Sequence, residues 1–174
     1  MNFSRSLTAA FVLASGLFAA CALTVAPAAA QQNAKRASTP AAAALPEVHV
    51  HRDANCSCCI LWVNHLREAG FKVKVTDEAD MGAIKRRVGI PEGKSSCHTA
   101  EVGGYFVEGH VPAQDIKRLL AQRPAAKGLV LPGMPLGSPG MEVPDGTVQP
   151  YTVELVGNDG STREWSRHAA PAKR

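Results

Sequence analysis

Residues 47–75 read EVHVHRDANCSCCILWVNHLREAGFKVKV. Val48 and Val50 alternate with Glu47, His49 and His51, the period-two pattern of a strand. Asn55 is a good N-cap residue. The spacing of Trp62, Val63, Leu66 and Ala69 predicts a helix from about Ser57 to Ala69, stopped by Gly70. Phe71, Val73 and Val75 then alternate as a second strand. A strand, a helix and a strand in this order call for a crossover between parallel strands. The helix starts inside Cys56-Ser57-Cys58-Cys59, so the densest sulfur of the chain lies where a strand hands over to a helix.

Downstream, Met81, Ile84 and Val88 repeat at helical spacing, ended by Gly89 and Pro91. Ala100 to Gly103 and Tyr105 to His110 read as short strands joined tightly through Gly103-Gly104. Pro112 suits the first turn of a last helix, whose apolar face is Ile116, Leu119 and Leu120. The predicted order β-α-β-α-β-β-α is that of a thioredoxin-like α/β domain over residues 47–122. Residues 123–168 are expected to form a Pro/Gly-rich loop, to about Gly146, and a C-terminal β-hairpin packed on the same domain. In that hairpin Tyr151, Val153 and Leu155 alternate, Asn158-Asp159-Gly160 turns the chain, and Thr162 to Trp165 returns.

Upstream, a basic start ending at Arg5 precedes an apolar run from Leu7 to Val25 and then Ala28-Ala29-Ala30. This is the pattern of a cleavable signal peptide over residues 1–30, with cleavage after Ala30. A retained membrane anchor and lipidation at Cys21 are the competing readings. The small-x-small ending argues against the first, and Phe18 makes a poor lipobox for the second. Cleavage leaves 174 − 30 = 144 residues and no stable membrane anchor. Gln31 to Pro46 reads as a flexible Ala-rich linker. Export places the four remaining cysteines in an oxidising compartment, most simply a bacterial periplasm. The formal charge of +4 is small and its basic residues are scattered, which argues against a nucleic-acid partner. A phosphate-binding Gly-rich loop and a Ser/His/Asp signature are both missing from the sequence.

Thiolate is both the nucleophile and the metal ligand, and a helix N-terminus favours thiolate over thiol. Cys56 and Cys59 have the C-x-x-C spacing of a redox pair. Cys58 makes the motif C-x-C-C, which a plain dithiol enzyme does not need. Cys97 supplies a fourth thiol, followed by His98. In the predicted order the loop before the third strand lies against the start of the first helix, so Cys97-His98 is expected to face Cys56 to Cys59. Soft thiolate and thioether ligands select Cu(I), with Zn(II) as the competitor. A four-cysteine zinc site usually draws on two separated C-x-x-C pairs, whereas the split here is three plus one. Two structural disulfides are the other use of four cysteines; their partners are not fixed by sequence, C-x-x-C spacing pairing Cys56 with Cys59 and leaving Cys58 with Cys97. Met134 and Met141, on the Pro/Gly-rich loop, are either further Cu(I) ligands or packing. His98 and His110 are candidate outer ligands, His110 being equally readable as a helix-start residue. His49, His51 and His65 read as surface or sheet residues.

Four linked segments resemble the CopG-type periplasmic copper-resistance family. They are Cys56-Ser57-Cys58-Cys59 with Trp62, Ser96-Cys97-His98-Thr99-Ala100, Gly104-Tyr105 with Glu108-Gly109-His110-Val111-Pro112, and Gly133-Met134-Pro135 with Gly137-Ser138-Pro139-Gly140-Met141. The resemblance runs from about Glu47 to Trp165. It implies a thioredoxin-like fold, copper held by Cys56, Cys58, Cys59 and Cys97, and a role in copper redox handling. The expected function is an exported copper-binding protein of copper resistance, holding Cu(I) as a small thiolate cluster and interconverting Cu(I) and Cu(II). Its expected partners are copper ions and other periplasmic copper-handling proteins. A thiol-disulfide oxidoreductase using Cys56 and Cys59, and a copper chaperone, remain open alternatives.

Overall fold

The computed structural model describes residues 44–169. The signal peptide, Cys21 and most of the linker lie outside the described residues. One seven-stranded sheet organises the rest. Its strands are β1 (Val48–Arg52), β2 (Val73–Asp77), β3 (His98–Val102), β4 (Tyr105–Glu108), β5 (Ala126–Val130), β6 (Tyr151–Gly157) and β7 (Thr162–His168), in the spatial order β2-β1-β3-β4-β5-β6-β7. Helix α1 (Ser57–Glu68) carries the chain from β1 to a parallel β2, as the opening residues require. β1 pairs antiparallel with β3, and β3 and β4 form the expected hairpin. Among the described residues, no helix is long and apolar enough to cross a membrane.

Strand alternation divides the sheet into two faces. Val48, Val50, Ala100, Val102, Val107 and Leu129 pack with Trp62, Val63 and Leu66 of α1 and with Ile116 and Leu119 of α3 (Ala113–Gln122). Phe106, Val130 and Val156 face the other way, against Val88 and Ile90 at the end of α2 (Met81–Val88). Asp80 caps α2 by accepting the Ala83 N–H at 3.0 Å, and Gly89 closes it with φ +83°.

Two features differ from the sequence reading. The N-cap of α1 is Cys56, not Asn55, and its side chain makes no capping bond. The Asn55 N–H is instead turned back to Asp53 Oδ1 at 2.8 Å. The second difference is β5, inside the segment expected to be loop. It runs parallel to β4 and stands between β4 and the C-terminal hairpin, so β6 pairs with β5. Gly128 hides this strand from pattern reading, because it interrupts the apolar alternation. The interruption has a structural reason: a Cβ there would lie 2.1 Å from the Phe106 carbonyl oxygen of the neighbouring strand.

Candidate metal centre

The end of β1, the first turn of α1 and the loop entering β3 meet at one place. The Sγ atoms of Cys56, Cys58, Cys59 and Cys97 all lie within 4.8 Å of one another there. The three-plus-one split of the sequence is thus closed in space. Cys56 and Cys59 are joined as a disulfide, the C-x-x-C pairing. Cys58 and Cys97 are free thiols, so the second expected bridge is not formed. Cys58 Sγ lies 3.6 Å from Cys56 Sγ and 3.9 Å from Cys97 Sγ. Arg52 anchors the turn that presents these sulfurs. Its Nη1 donates to the carbonyls of Asp53, Ala54 and Cys56 at 3.1–3.2 Å, and its Nη2 is 2.9 Å from Asp77.

Two imidazoles abut Cys97 from the far side. His110 Nε2 is 3.1 Å from Cys97 Sγ and His98 Nδ1 is 3.3 Å from it. Both histidines are fully buried. The His110 Nδ1 lies 2.8 Å from the Pro139 carbonyl oxygen. A carbonyl only accepts, so Nδ1 carries the proton and the Nε2 lone pair faces the sulfur. Burial lowers the pKa of His110. Burial, then the neighbouring His110 and Lys85, holds His98 well below the ordinary imidazole range. Both rings are therefore neutral at physiological pH, which is the ligand form. His98 Nε2 has no hydrogen-bond partner in its buried position. Its ring rests on Trp62 with centroids 4.3 Å apart, and the Trp62 Nε1–H donates to the Val111 carbonyl at 2.9 Å.

Burial, with Cys58 close by, pushes the Cys97 thiol up to about 12. The helix-terminus argument for thiolate does not reach Cys97, which lies in a loop. A metal cation supplies the missing positive charge at such a group and makes the thiolate the favoured form.

Glu108 is a residue for which the sequence reading assigned no role. It is fully buried on the α2 face of β4. Its carboxylate accepts the Ser96 N–H at 2.6 Å and the Thr99 hydroxyl at 2.6 Å, and pairs with Lys85 of α2. These bonds fix the loop residue immediately before Cys97. An acidic residue closing an otherwise apolar strand, Tyr105-Phe106-Val107-Glu108, is the signal that points to it.

The Pro/Gly-rich loop folds onto the start of α1. Gly140 lies so close that a Cβ there would be 2.7 Å from the Trp62 backbone nitrogen and 3.1 Å from the Cys58 carbonyl oxygen. Met141 follows directly and is partly buried. Met134 is 50% exposed, although its neighbour Gly133 is held by the Ser95 carbonyl and the Ser96 hydroxyl. Of the other histidines, His51 is buried between Glu78 and Glu101, at 2.7 and 3.2 Å. His49 bonds the Thr76 hydroxyl, and His65 accepts the Ala113 N–H. All three serve the scaffold away from the sulfurs.

Residues 94–141 match a family model described as a protein of unknown function, DUF411. That match spans the Cys97 loop, both buried imidazoles and the loop over α1. No curated protein matches the chain. A solved structure of copper resistance protein CopG, form 1, is 46% identical with a TM-score of 0.68, covering 71% of this chain and 98% of that one. Form 2 of the same protein is also 46% identical, with a TM-score of 0.69, covering 72% and 99%. At that identity over nearly the full length of the solved chains, this protein belongs to the CopG copper-resistance family.

Proposed function

We propose that this chain is an exported, periplasmic protein of copper resistance that takes up Cu(I) as its cargo. Cys56, Cys58, Cys59 and Cys97 hold it as a small thiolate cluster, His98 and His110 are secondary ligands, and the ions pass between Cu(I) and Cu(II). The observation that carries this reading is the gathering of four sulfurs from two distant segments within 4.8 Å, with neutral imidazoles against one of them. Four soft donors this close suit bridging between several ions better than a single tetrahedral ion. Met141, next to the Gly140 contact with α1, and the more exposed Met134 are the further thioether ligands of this reading. Loading requires that the Cys56–Cys59 disulfide first accept two electrons.

Metal analysis of protein purified from the periplasm with thiols kept reduced tests the proposal. More than one Cu(I) per chain is expected. A single tetrahedral Zn(II) that Cu(I) does not displace overturns it. The Cys56–Cys59 disulfide favours a second reading, thiol-disulfide oxidoreductase. Under that reading Cys58→Ser and Cys97→Ser keep disulfide-reductase activity; under the copper reading both variants lose the cluster.

A further inference from the structure

The sulfur spacing carries a consequence that needs no metal. We propose that the site relays its disulfide internally, with Cys58 as the pivot, so that the bridge moves from Cys56–Cys59 to Cys58–Cys97. Cys58 Sγ is at contact distance, 3.6 Å, from one sulfur of the existing disulfide, and 3.9 Å from the only other thiol among the described residues. It is the free sulfur that touches both. Thiol-disulfide exchange proceeds by attack of one sulfur on a disulfide sulfur, with the other sulfur leaving.

In the first step Cys58 Sγ attacks Cys56 Sγ. The Cys56–Cys58 bond forms, the Cys56–Cys59 bond breaks, and the Cys58 proton ends on the released Cys59 sulfur. In the second step Cys97 Sγ attacks Cys58 Sγ. The Cys58–Cys97 bond forms, the Cys56–Cys58 bond breaks, and the Cys97 proton, next to His110 Nε2 at 3.1 Å, ends on Cys56. Two thiols and one disulfide are present before and after, so the relay is redox-neutral and needs no external oxidant or reductant. It frees the C-x-x-C pair of a chain that has been oxidised once. Cys59 is fully buried, so Cys56, which is partly exposed, is the sulfur of this disulfide that is open to attack, and Cys58 already lies against it.

The test uses the full mature chain, metal-free in chelator, carrying one disulfide. Because the Cys97 thiol is pushed up to about 12, the sample is incubated for a long period at alkaline pH, then acid-quenched, alkylated and mapped by mass spectrometry. Cys97 and Cys58 lie on different tryptic peptides, so the relayed bridge appears as a cross-linked pair. The expected result is a growing cross-linked fraction in monomeric protein with the thiol count constant at two per chain. Cys58→Ser is expected to slow that appearance of a Cys97-linked bridge by about tenfold or more, because direct attack on Cys56 lacks the pivot. In Cys97→Ser the relay stops at Cys56–Cys58, seen as alkylation at Cys59. A wild-type chain whose Cys97 stays fully alkylated overturns the proposal. So does a Cys58→Ser chain that links Cys97 at the wild-type rate, or a thiol count that falls as the cross-link grows. Copper binding is not part of the readout, so failure here leaves the cluster reading standing, and failure of copper binding leaves the relay standing.

Discussion

The two faces of the sheet do opposite chemistry with adjacent residues. On the α1 face, His98 is buried and neutral against Trp62 and Cys97. One residue on, Thr99 points to the α2 face, where it joins Lys85 and Glu108 in a charged network. Further along, Glu101 takes a bidentate bond from Arg87 and meets His51. The α1 face therefore holds thiols and uncharged imidazoles, and the α2 face holds ions that already have partners. The two connect at Ser96, whose N–H belongs to Glu108 while the next residue belongs to the sulfurs. What this teaches is that the site's geometry is anchored from the side that carries none of its ligands.

The largest effect is expected from the α1 face. Trp62→Ala empties a fully buried position and removes the platform of His98, at a cost of about 3–5 kcal/mol. Urea unfolding measures this, and a cost below 1 kcal/mol would mean that the ring is not part of the core. Next is Lys85→Met, which strips the buried Glu108 carboxylate of its cation and is expected to destabilise by about 3 kcal/mol. The informative readout is Cu(I) retention. It should fall in Lys85→Met although no ligand has changed, whereas unchanged retention would detach the two faces from each other.

The pH dependence separates the faces further. His98 and His110 have lowered pKa values in the folded protein, so the unfolded chain binds more protons once the pH drops below about 6.5. Stability from these groups is fully present above that pH and is lost as pH falls through it. The slope is about 1.4 kcal/mol per pH unit for each histidine that remains neutral when folded. His98→Gln should flatten the metal-free stability curve between pH 6.5 and pH 5, and an unaltered slope would contradict the assignment. The smallest structural effect is expected for Met141→Leu. It conserves volume and should cost less than about 1.5 kcal/mol in thermal unfolding, yet weaken Cu(I) retention. Lost stability with intact copper binding would make Met141 a packing residue.

The strands and helices from Val48 to Leu120 were legible because their apolar residues keep one period each and Gly70, Gly89 and Gly103-Gly104 punctuate them. The pairing of Cys97 with the C-x-C-C motif was legible from element order alone. β5 was not, since Gly128 serves the neighbouring backbone rather than the strand's own pattern. The Arg52 anchor and the Glu108 network were also out of reach. Arg52 finds the carbonyls of the turn that follows it and the distant Asp77, and Glu108 finds an N–H, a hydroxyl and Lys85 from other elements, and no apolar period encodes either set. The contact of the Pro/Gly-rich loop with α1 rests on Gly140, one glycine among several on that loop, and only the fold distinguishes it.

The orientation of His110 depends on an atom that mutation of side chains does not reach. Every one of the twenty amino acids at position 139 offers a carbonyl oxygen, so the imidazole's tautomer is inherited from the path of the chain and not from residue identity. Point substitutions that keep the path leave it intact, while adding or deleting a single residue between Leu131 and Gly140 shifts the acceptor out of register. Among homologous chains, the length of this loop should accordingly drift less than its composition.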